Sequence, residues 1–339
     1  MLLYVHFGES SGDMRYRRKL HSKKLKSQRK MIVTSLFIVL LCFSIGYAAF
    51  STKINLSVQG NIDMSDIACF TVSDNGDGTG TITDYDADTC GTKVKIPSKI
   101  NNLTITKIGD ATEEKQIFKN KNIHILIFPN TLTYIGTSCC MGLDNADITV
   151  PEGVKTIETH AFAWGRMKTI SLPDSLEYIG QGAFESNDLT YLKIPSSVKN
   201  LYFTIASGNL LEGDNAFIYA RDGYGKEDKT KLISFGNRTR KEVIIPSGVE
   251  DITDWAFVNN TLLEHVIIPS SVKQIHSNVF HQNYNLKQVD IGSGVTLIES
   301  SAFGSAPMLD TININRKENA IEGSPWGATN ATVNWTGTT

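Results

Sequence analysis

The chain lacks the short motifs that mark common enzyme classes. It has no GxSxG nucleophile turn, no HExxH zinc-binding helix, no Walker loop and no GxGxxG between a strand and a helix. Its seven histidines are scattered. His276 and His281 stand nearest to each other, but no carboxylate or cysteine lies beside them at metal-ligand spacing, so we interpret them as surface side chains. These absences predict a non-catalytic protein without a cofactor or a bound metal.

Positive charge is scarce outside the first 30 residues. That segment holds nine Lys or Arg against Glu9 and Asp13, a net charge of +7. Because the whole chain carries −2, about −9 remains for residues 31–339. Binding to nucleic acid is driven by counterions that a basic surface displaces. The acidic body therefore argues against nucleic acid as a partner.

Only one stretch is long and apolar enough to cross a bilayer. Met31 to Phe50 is a run of 20 residues without a charge. Lys53 is the only basic residue from 51 to 92, so the positive-inside rule places residues 1–30 in the cytoplasm and everything after Phe50 outside. The sequence thus predicts a basic cytoplasmic segment (1–30) and an N-terminal transmembrane or signal helix (31–50).

Cleavage of this helix is left open. Gly46-Tyr47-Ala48 is a passable small-x-small site, so a removed signal peptide and a retained anchor are both compatible with the sequence. With the helix retained, the protein is a single-pass membrane protein of the cell surface with its C-terminus outside. With cleavage after about Ala48, it is secreted.

Residues 51–92 are predicted to form a linker and an N-terminal β-hairpin. Two short β-type runs flank a cluster of Gly, Asp and Asn, which is typical of a turn. A calcium loop is the alternative, since Asn75, Asp77, Gly78 and Asp84 partly follow the EF-hand spacing, but no strong helices flank them. The turn is the preferred interpretation.

Cysteine is also sparse, with five in the chain. Cys69 and Cys90 bracket the hairpin on the exported side, so we predict a disulfide between them. Cys139 and Cys140 occupy two adjacent core positions of a repeat. They are interpreted as buried thiols, with a redox pair as the alternative.

A repeat of 22 to 23 residues dominates the rest of the chain. Within Val150 to Phe184, each of Pro151, Val154, Ile157 and Ala161-Phe162 has a counterpart 22 residues later. The same proline slot is filled along more than 200 residues, by Pro97, Pro129, Pro151, Pro173, Pro195, Pro246 and Pro269, and then by Gly292 and Asn315. Such a period predicts a solenoid whose stacked coils bury one continuous core.

The pattern inside a coil predicts which side chains face the core. Short β-type segments such as YLKIP, EVIIP and HVIIP precede the slot. Residues one and three before the slot point inward, and residues two and four before it point outward, because strand side chains alternate. A phenylalanine closes most coils, and these rings are predicted to be buried: Phe162, Phe184, Phe257, Phe280 and Phe303.

These repeats resemble a known family. IPSGVEDITDWAFVNNTLLEHVIIP and IPSSVKQIHSNVFHQNYNLKQVDI are similar to the BspA-like (Treponema pallidum-type) leucine-rich repeat of bacterial surface proteins. The resemblance implies a mainly β, right-handed leucine-rich-repeat solenoid with short turns and 3-10 segments. It also implies a role in adhesion to extracellular proteins or to other cells.

The solenoid is predicted over residues 93–315, interrupted at about 201–241 by an inserted hairpin. A C-terminal cap covers 316–339, where Trp326 and Trp335 close the apolar end of the last coil. An aromatic carbohydrate platform is the alternative for the two tryptophans. The stretch GYAAFSTKINLSVQGNI further resembles the start of many Gram-positive exported surface proteins.

Two function classes follow: a recognition or adhesion module for an extracellular protein or glycan, and a structural envelope protein without a specific ligand. A binding face should carry clustered apolar and aromatic side chains. Ile244 and Ile267 are expected to touch on adjacent strands as an exposed apolar pair, although β-branched residues also simply favour strands. The candidate binding residues on the outward sheet face are Tyr191, Lys193, Glu242, Ile244, His265, Ile267, Gln288 and Asp290.

Overall fold

The computed structural model describes residues 68–112, 116–119, 121–144 and 147–338. The predicted helix at 31–50 and the start of the linker lie outside these ranges. Within them, no helix combines the length and the apolar character needed to cross a membrane.

The described part of the chain begins with the predicted hairpin. Strands β1 (Phe70–Asp74) and β2 (Thr79–Tyr85) pair antiparallel, and a single helical turn, α1 (Ala87–Cys90), follows. The predicted disulfide joins Cys69 to Cys90, with their Cα atoms 5.9 Å apart. Strand β2 then pairs with a strand of the first coil, so the hairpin covers the N-terminal end of the solenoid.

The body is mainly β, a solenoid of about 11 turns. Its first ladder consists of the strands just before each proline slot, and their pairing is parallel throughout. The ladder falls into three sheets, β3–β6, β8–β10 and β15–β17–β19–β21–β22. The strands are β3 (Lys93–Lys95), β6 (Ile125–Ile127), β8 (Asp147–Thr149), β10 (Thr169–Ser171), β15 (Glu242–Ile244), β17 (His265–Ile268), β19 (Gln288–Ile291), β21 (Thr311–Ile314) and β22 (Thr332–Trp335).

The strands that come a few residues after each proline slot form a second ladder. Its order is β2–β5–β7–β9–β11–β12 in the first block of repeats and β14 (Glu227–Phe235)–β16–β18–β20 in the second, and β4 adds to β5. The strands are β4 (Lys99–Ile100), β5 (Leu103–Ile108), β7 (Tyr134–Ile135), β9 (Thr156–Ile157), β11 (Tyr178–Ile179), β12 (Asn200–Leu201), β16 (Asp251–Ile252), β18 (Gln274–Ile275) and β20 (Leu297–Ile298).

The insertion between the two blocks contains a 3-10 turn (Gly213–Ala216) and two antiparallel strands, β13 (Phe217–Arg221) and β14 (Glu227–Phe235). The sequence predicted only that β14 belongs to an inserted hairpin, but this strand also pairs with the second ladder. Its Lys231 and Leu232 pair with β16, and its Phe235 ring lies 4.9 Å from the Phe257 ring. The second strand of the hairpin therefore also supplies one coil of the solenoid.

The core confirms the repeat register. All five predicted phenylalanines are at most 1% exposed. In the second block the rings form a column, with centroids 5.3 Å apart from Phe257 to Phe280 and 5.4 Å apart from Phe280 to Phe303. Trp326 continues the column 6.4 Å beyond Phe303, and Trp335 packs 6.3 Å from Trp326. The two tryptophans thus close the apolar end of the solenoid.

Buried asparagines join neighbouring coils on the turn side, which is the third side of the solenoid. Asn187 is fully buried, donates to the carbonyl of Phe162 one coil earlier at 2.8 Å, and accepts from the Met167 N–H at 3.2 Å. Asn209 and Asn283 make the equivalent bonds to the carbonyls of Phe184 and Phe257. Each amide satisfies main-chain groups that the tight turn would otherwise leave unpaired in the core.

One predicted strand is wrong. YLKIP has the local pattern of a strand, yet residues 191–195 form none. The reason lies in the insertion. With the oxygen and nitrogen of its side-chain amide exchanged, Asn215 donates to the Leu192 carbonyl and accepts from the Leu192 N–H, both at 3.0 Å. These two bonds take the place of those that a neighbouring strand would make. The inward side chains beside this break, Ile170, Leu172 and Ile194, are only half-buried.

Candidate recognition surface

The outward side chains of β15, β17, β19, β21 and β22 form one continuous surface, here called the outer face. The parallel register arranges them in two rows. One row is Glu242, His265, Gln288, Thr311 and Thr332, and the other is Ile244, Ile267, Asp290, Asn313 and Asn334. Six of the eight candidate residues therefore lie side by side on three consecutive coils.

The apolar end of this surface is the predicted isoleucine pair. Ile244 and Ile267 are register partners on adjacent strands, and Ile244 is 61% exposed. Within the described residues, strand β15 is also the edge of its sheet, with β17 as its one strand partner. Ile244 thus presents apolar side-chain surface beside a sheet edge, the part of a sheet to which another chain can add.

The polar end is organised around His265. Its Nε2 lies 2.7 Å from Oδ2 of Asp290 on the next coil, and its Nδ1 lies 3.6 Å from Oε2 of Glu242 on the preceding coil. Asn313 and Gln288 donate to Asp290 at 2.7 and 2.9 Å. Partial burial favours a raised pKa for Asp290, but these hydrogen bonds and His265 together hold its pKa below the ordinary value. The carboxylate is therefore charged and fixed in position.

Tyr191 and Lys193 do not extend the outer face. Both are exposed, but they belong to the segment that forms no strand, and the 3-10 turn and the inserted hairpin follow them before β15 begins. The prediction that placed them on the same sheet as Ile244 is wrong. They border a separate groove beside β10.

A second histidine cluster was missed by sequence reasoning. Asp254, His276 and Glu299 come from three consecutive coils, and one potential ligand atom from each lies within 4.8 Å of the others. His276 also contacts Asp251, with Nε2 2.8 Å from Oδ1. The signal that could have found the cluster is the position of each residue relative to its proline slot. His276 and Glu299 both stand seven residues after their slots, so they lie on equivalent positions of adjacent coils. The contacts of His276 with Asp251 and Glu299 join three consecutive coils through their side chains.

The turn at the N-terminal hairpin is held by its own acidic side chains. Asp74 accepts from the Gly76 N–H at 2.8 Å, and Asp77 accepts from the N–H and hydroxyl of Thr79. The Thr79 bonds lower the pKa of Asp77. Gly76 has φ of +83°, a conformation that favours glycine. These contacts account for the spacing that resembles a calcium loop.

The vicinal cysteines are core residues. Cys139 and Cys140 are fully buried free thiols with their Sγ atoms 3.3 Å apart. Burial raises the pKa of the Cys140 thiol, which keeps it neutral. A neutral buried thiol is inert, as the preferred interpretation requires.

Fold and surface together define a leucine-rich-repeat solenoid. A family model described as "BspA type Leucine rich repeat region" matches residues 91–209 and 232–329, in six copies. The chain belongs to this family. A search of curated proteins gives no significant match.

Solved structures with a similar fold come from several bacteria. A leucine-rich cell surface protein of Faecalibacterium prausnitzii A2-165 is 21% identical with a TM-score of 0.42, and the match covers 80% of this chain and 94% of that one. A leucine-rich repeat protein of Bacteroides ovatus ATCC 8483 is 19% identical with a TM-score of 0.42, over 81% and 76% of the two chains. The pneumococcal vaccine antigen PcpA is 18% identical with a TM-score of 0.41, over 74% and 80%.

Proposed function

We propose that the protein is a non-catalytic recognition or adhesion module of the bacterial cell surface. It binds an extracellular protein or glycan through the outer face. The observation that carries this proposal is the pair of the exposed Ile244 and the half-buried Ile267 beside the fixed His265–Asp290 network. An apolar patch next to oriented polar groups provides both affinity and specificity.

The proposed location follows from charge and hydropathy. The basic segment 1–30 stays in the cytoplasm, and the apolar run 31–50 either anchors the chain or is removed as a signal peptide. In both cases the solenoid lies outside the cell. The Cys69–Cys90 disulfide supports this placement, because disulfides persist in oxidising surroundings.

A structural envelope protein without a specific ligand is the second candidate. It is favoured by the outward side chains of β8 and β10, which are small or polar: Asp147, Thr149, Thr169 and Ser171. A surface of this kind is typical of an inert spacer. The two candidates therefore differ in whether any partner needs the outer face of the second block.

In the test, cells that display the full chain on their surface are applied to an array of glycans and matrix proteins, and their attachment is measured. The double variant Ile244→Asp/Ile267→Asp should reduce attachment at least about tenfold, because it places two charges where the partner buries apolar surface. Both side chains point outward, so folding is retained, which a thermal melt checks.

The matched control is Gln274→Asp/Leu297→Asp, two exposed register partners on the second ladder, away from the outer face. It adds the same charge and should leave attachment unchanged. Attachment that survives the isoleucine variant would place the site elsewhere, with the tryptophan-bearing C-terminal coil as the next candidate. Absence of attachment by the unmodified chain to any array member would favour the envelope role.

A further inference from the structure

The first ladder is open between β10 and Thr190–Ile194. Where two strands of this ladder pair, the residue before the slot donates to the next coil, as Val150 does to Ser171 and Ile245 to Ile267, both at 3.0 Å. The equivalent bond from Leu172 to Lys193 is absent, and no backbone hydrogen bond joins residues 169–172 to 190–194, all of which the structure describes.

The same two coils are joined on their other sides. Strands β11 and β12 pair in the second ladder, and the Phe184 N–H donates to the Ile205 carbonyl at 3.0 Å on the turn side. The gap is therefore confined to the first ladder. We call it the seam.

Both banks of the seam offer main-chain groups to it. The Ser171 carbonyl accepts from Val150 and so points toward β8. Because successive peptide groups of a strand point to opposite edges, those of Ile170 and Leu172 point into the seam. On the other bank, the Thr190 carbonyl accepts from the Glu212 N–H at 3.2 Å and the Ile194 carbonyl accepts from the Arg221 guanidinium at 3.3 Å. These two carbonyls therefore point to the insertion, and alternation along the extended chain turns the peptide groups of Tyr191 and Lys193 toward the seam.

The seam is a cleft with an apolar floor and a charged rim. Its volume is about 330 Å³, and the half-buried Ile170 and Leu172 line its base. The equivalent side chains one coil earlier, Ile148 and Val150, are buried. The ladder is also divided between β6 and β8, but there the inward side chains on both sides of the division are buried.

The rim carries more negative than positive charge. Glu152 and Asp174 lie on one bank, and Lys193 lies on the other beside Tyr191, which is 62% exposed. None of the three charged side chains forms an ion pair within the described part of the chain. The cleft thus has a net charge of −1 that a cationic partner would offset.

We propose that the seam is a docking site for an extended peptide that carries a basic side chain. The peptide pairs its main chain with Ile170 and Leu172 by strand addition and places its basic residue against Glu152 and Asp174. Donors and acceptors that alternate at strand spacing are complemented by a polypeptide backbone and not by a sugar. This inference rests on the proposed recognition function and specifies one class of partner for it.

The first arm of the test measures amide hydrogen exchange in the full-length chain alone. The amides of Leu172 and Lys193 should exchange at least about a hundredfold faster than those of Val150 and Ile245, whose bonds are formed. Equal protection of the four amides would mean that the seam is closed in solution, and the proposal would be overturned.

The second arm selects random linear peptides displayed on phage against the full-length chain. A selected peptide should protect the Leu172 and Lys193 amides. Methylating alternate peptide nitrogens should abolish binding, because strand addition uses every second N–H. Failure to select any peptide, or binding that tolerates N-methylation at every position, contradicts strand addition. Protection that depends on chain concentration without peptide would instead identify a second copy as the occupant.

Side-chain variants separate this proposal from the outer-face proposal. Glu152→Gln/Asp174→Asn keeps the shape of the rim and should weaken peptide binding about five- to tenfold. Ile244→Asp/Ile267→Asp should leave peptide binding unchanged. Attachment of the cells to the array, together with the absence of peptide binding at the seam, would contradict the peptide-docking proposal and leave the outer-face proposal intact. Peptide binding without any attachment would contradict the adhesion function and leave the seam intact.

Discussion

Replacing Phe280 by Ala is expected to lower the free energy of unfolding by about 3–5 kcal/mol. The ring is fully buried between Phe257 and Phe303, at centroid distances of 5.3 and 5.4 Å. Its removal leaves a cavity in the middle of the column, and the backbone bonds on either side limit how far the coils can collapse into it. Urea denaturation measures the change.

Tyr284→Ala is the matched control for this prediction. Tyr284 belongs to the same coil and is 48% exposed, so its truncation should change the free energy of unfolding by less than about 0.5 kcal/mol. Similar effects of the two variants would contradict the repeat register, which places Phe280 and the equivalent phenylalanine rings of the other coils in the core. The repeats should also unfold with their neighbours, because contacts in a solenoid are largely between adjacent coils.

Glu185→Gln is expected to stabilise the protein at alkaline pH. The Glu185 side chain is 14% exposed, and its burial raises the pKa from 4.5 to about 7. Between these two values the folded state binds more protons than the unfolded state, so stability falls as pH rises from 4.5 and the loss is complete above 7. The raised pKa corresponds to a destabilisation of about 3 kcal/mol at pH 8.

His160 limits this effect, because its Nε2 lies 3.7 Å from Glu185 Oε2 and a protonated imidazole would stabilise the carboxylate. We therefore expect the Gln variant to match the unmodified chain near pH 4 and to exceed it by about 2–3 kcal/mol at pH 8. Denaturation at a series of pH values gives the slope. The exposed Glu152→Gln serves as the control and should not alter it. Parallel pH profiles for Glu185→Gln and the unmodified chain would refute the assignment.

Local pattern predicted the core but not the breaks in the ladder. A fixed period places Phe257, Phe280 and Phe303 at equivalent positions, so one coil is enough to predict the others. The segment YLKIP matches that pattern and still forms no strand, because Glu212 and Arg221 of the insertion donate to the carbonyls of Thr190 and Ile194. No property of residues 191–195 themselves could show this.

The polar sites were hidden for a related reason. His276 has no carboxylate at ligand spacing along the chain, whereas its partners Asp251 and Glu299 lie one coil before and one coil after it. Comparing side chains at equal slot offsets finds such neighbours. Applied to the outer face, the same comparison correctly paired Ile244 with Ile267. What it cannot give is the identity of a partner, because a repeat pattern specifies the scaffold and leaves the ligand to the outward side chains.

The central claim is that recognition uses the outer face of the second block. The most direct measurement places a photoreactive residue in turn at Gln288 on the outer face, at Leu297 on the second ladder and at Trp164 on the turn side, all of which reach solvent. Cells displaying each chain are irradiated while attached to the array. We predict crosslinking to the partner from position 288 and none from 164 or 297. Crosslinks from position 164 or 297, with none from 288, would contradict the account.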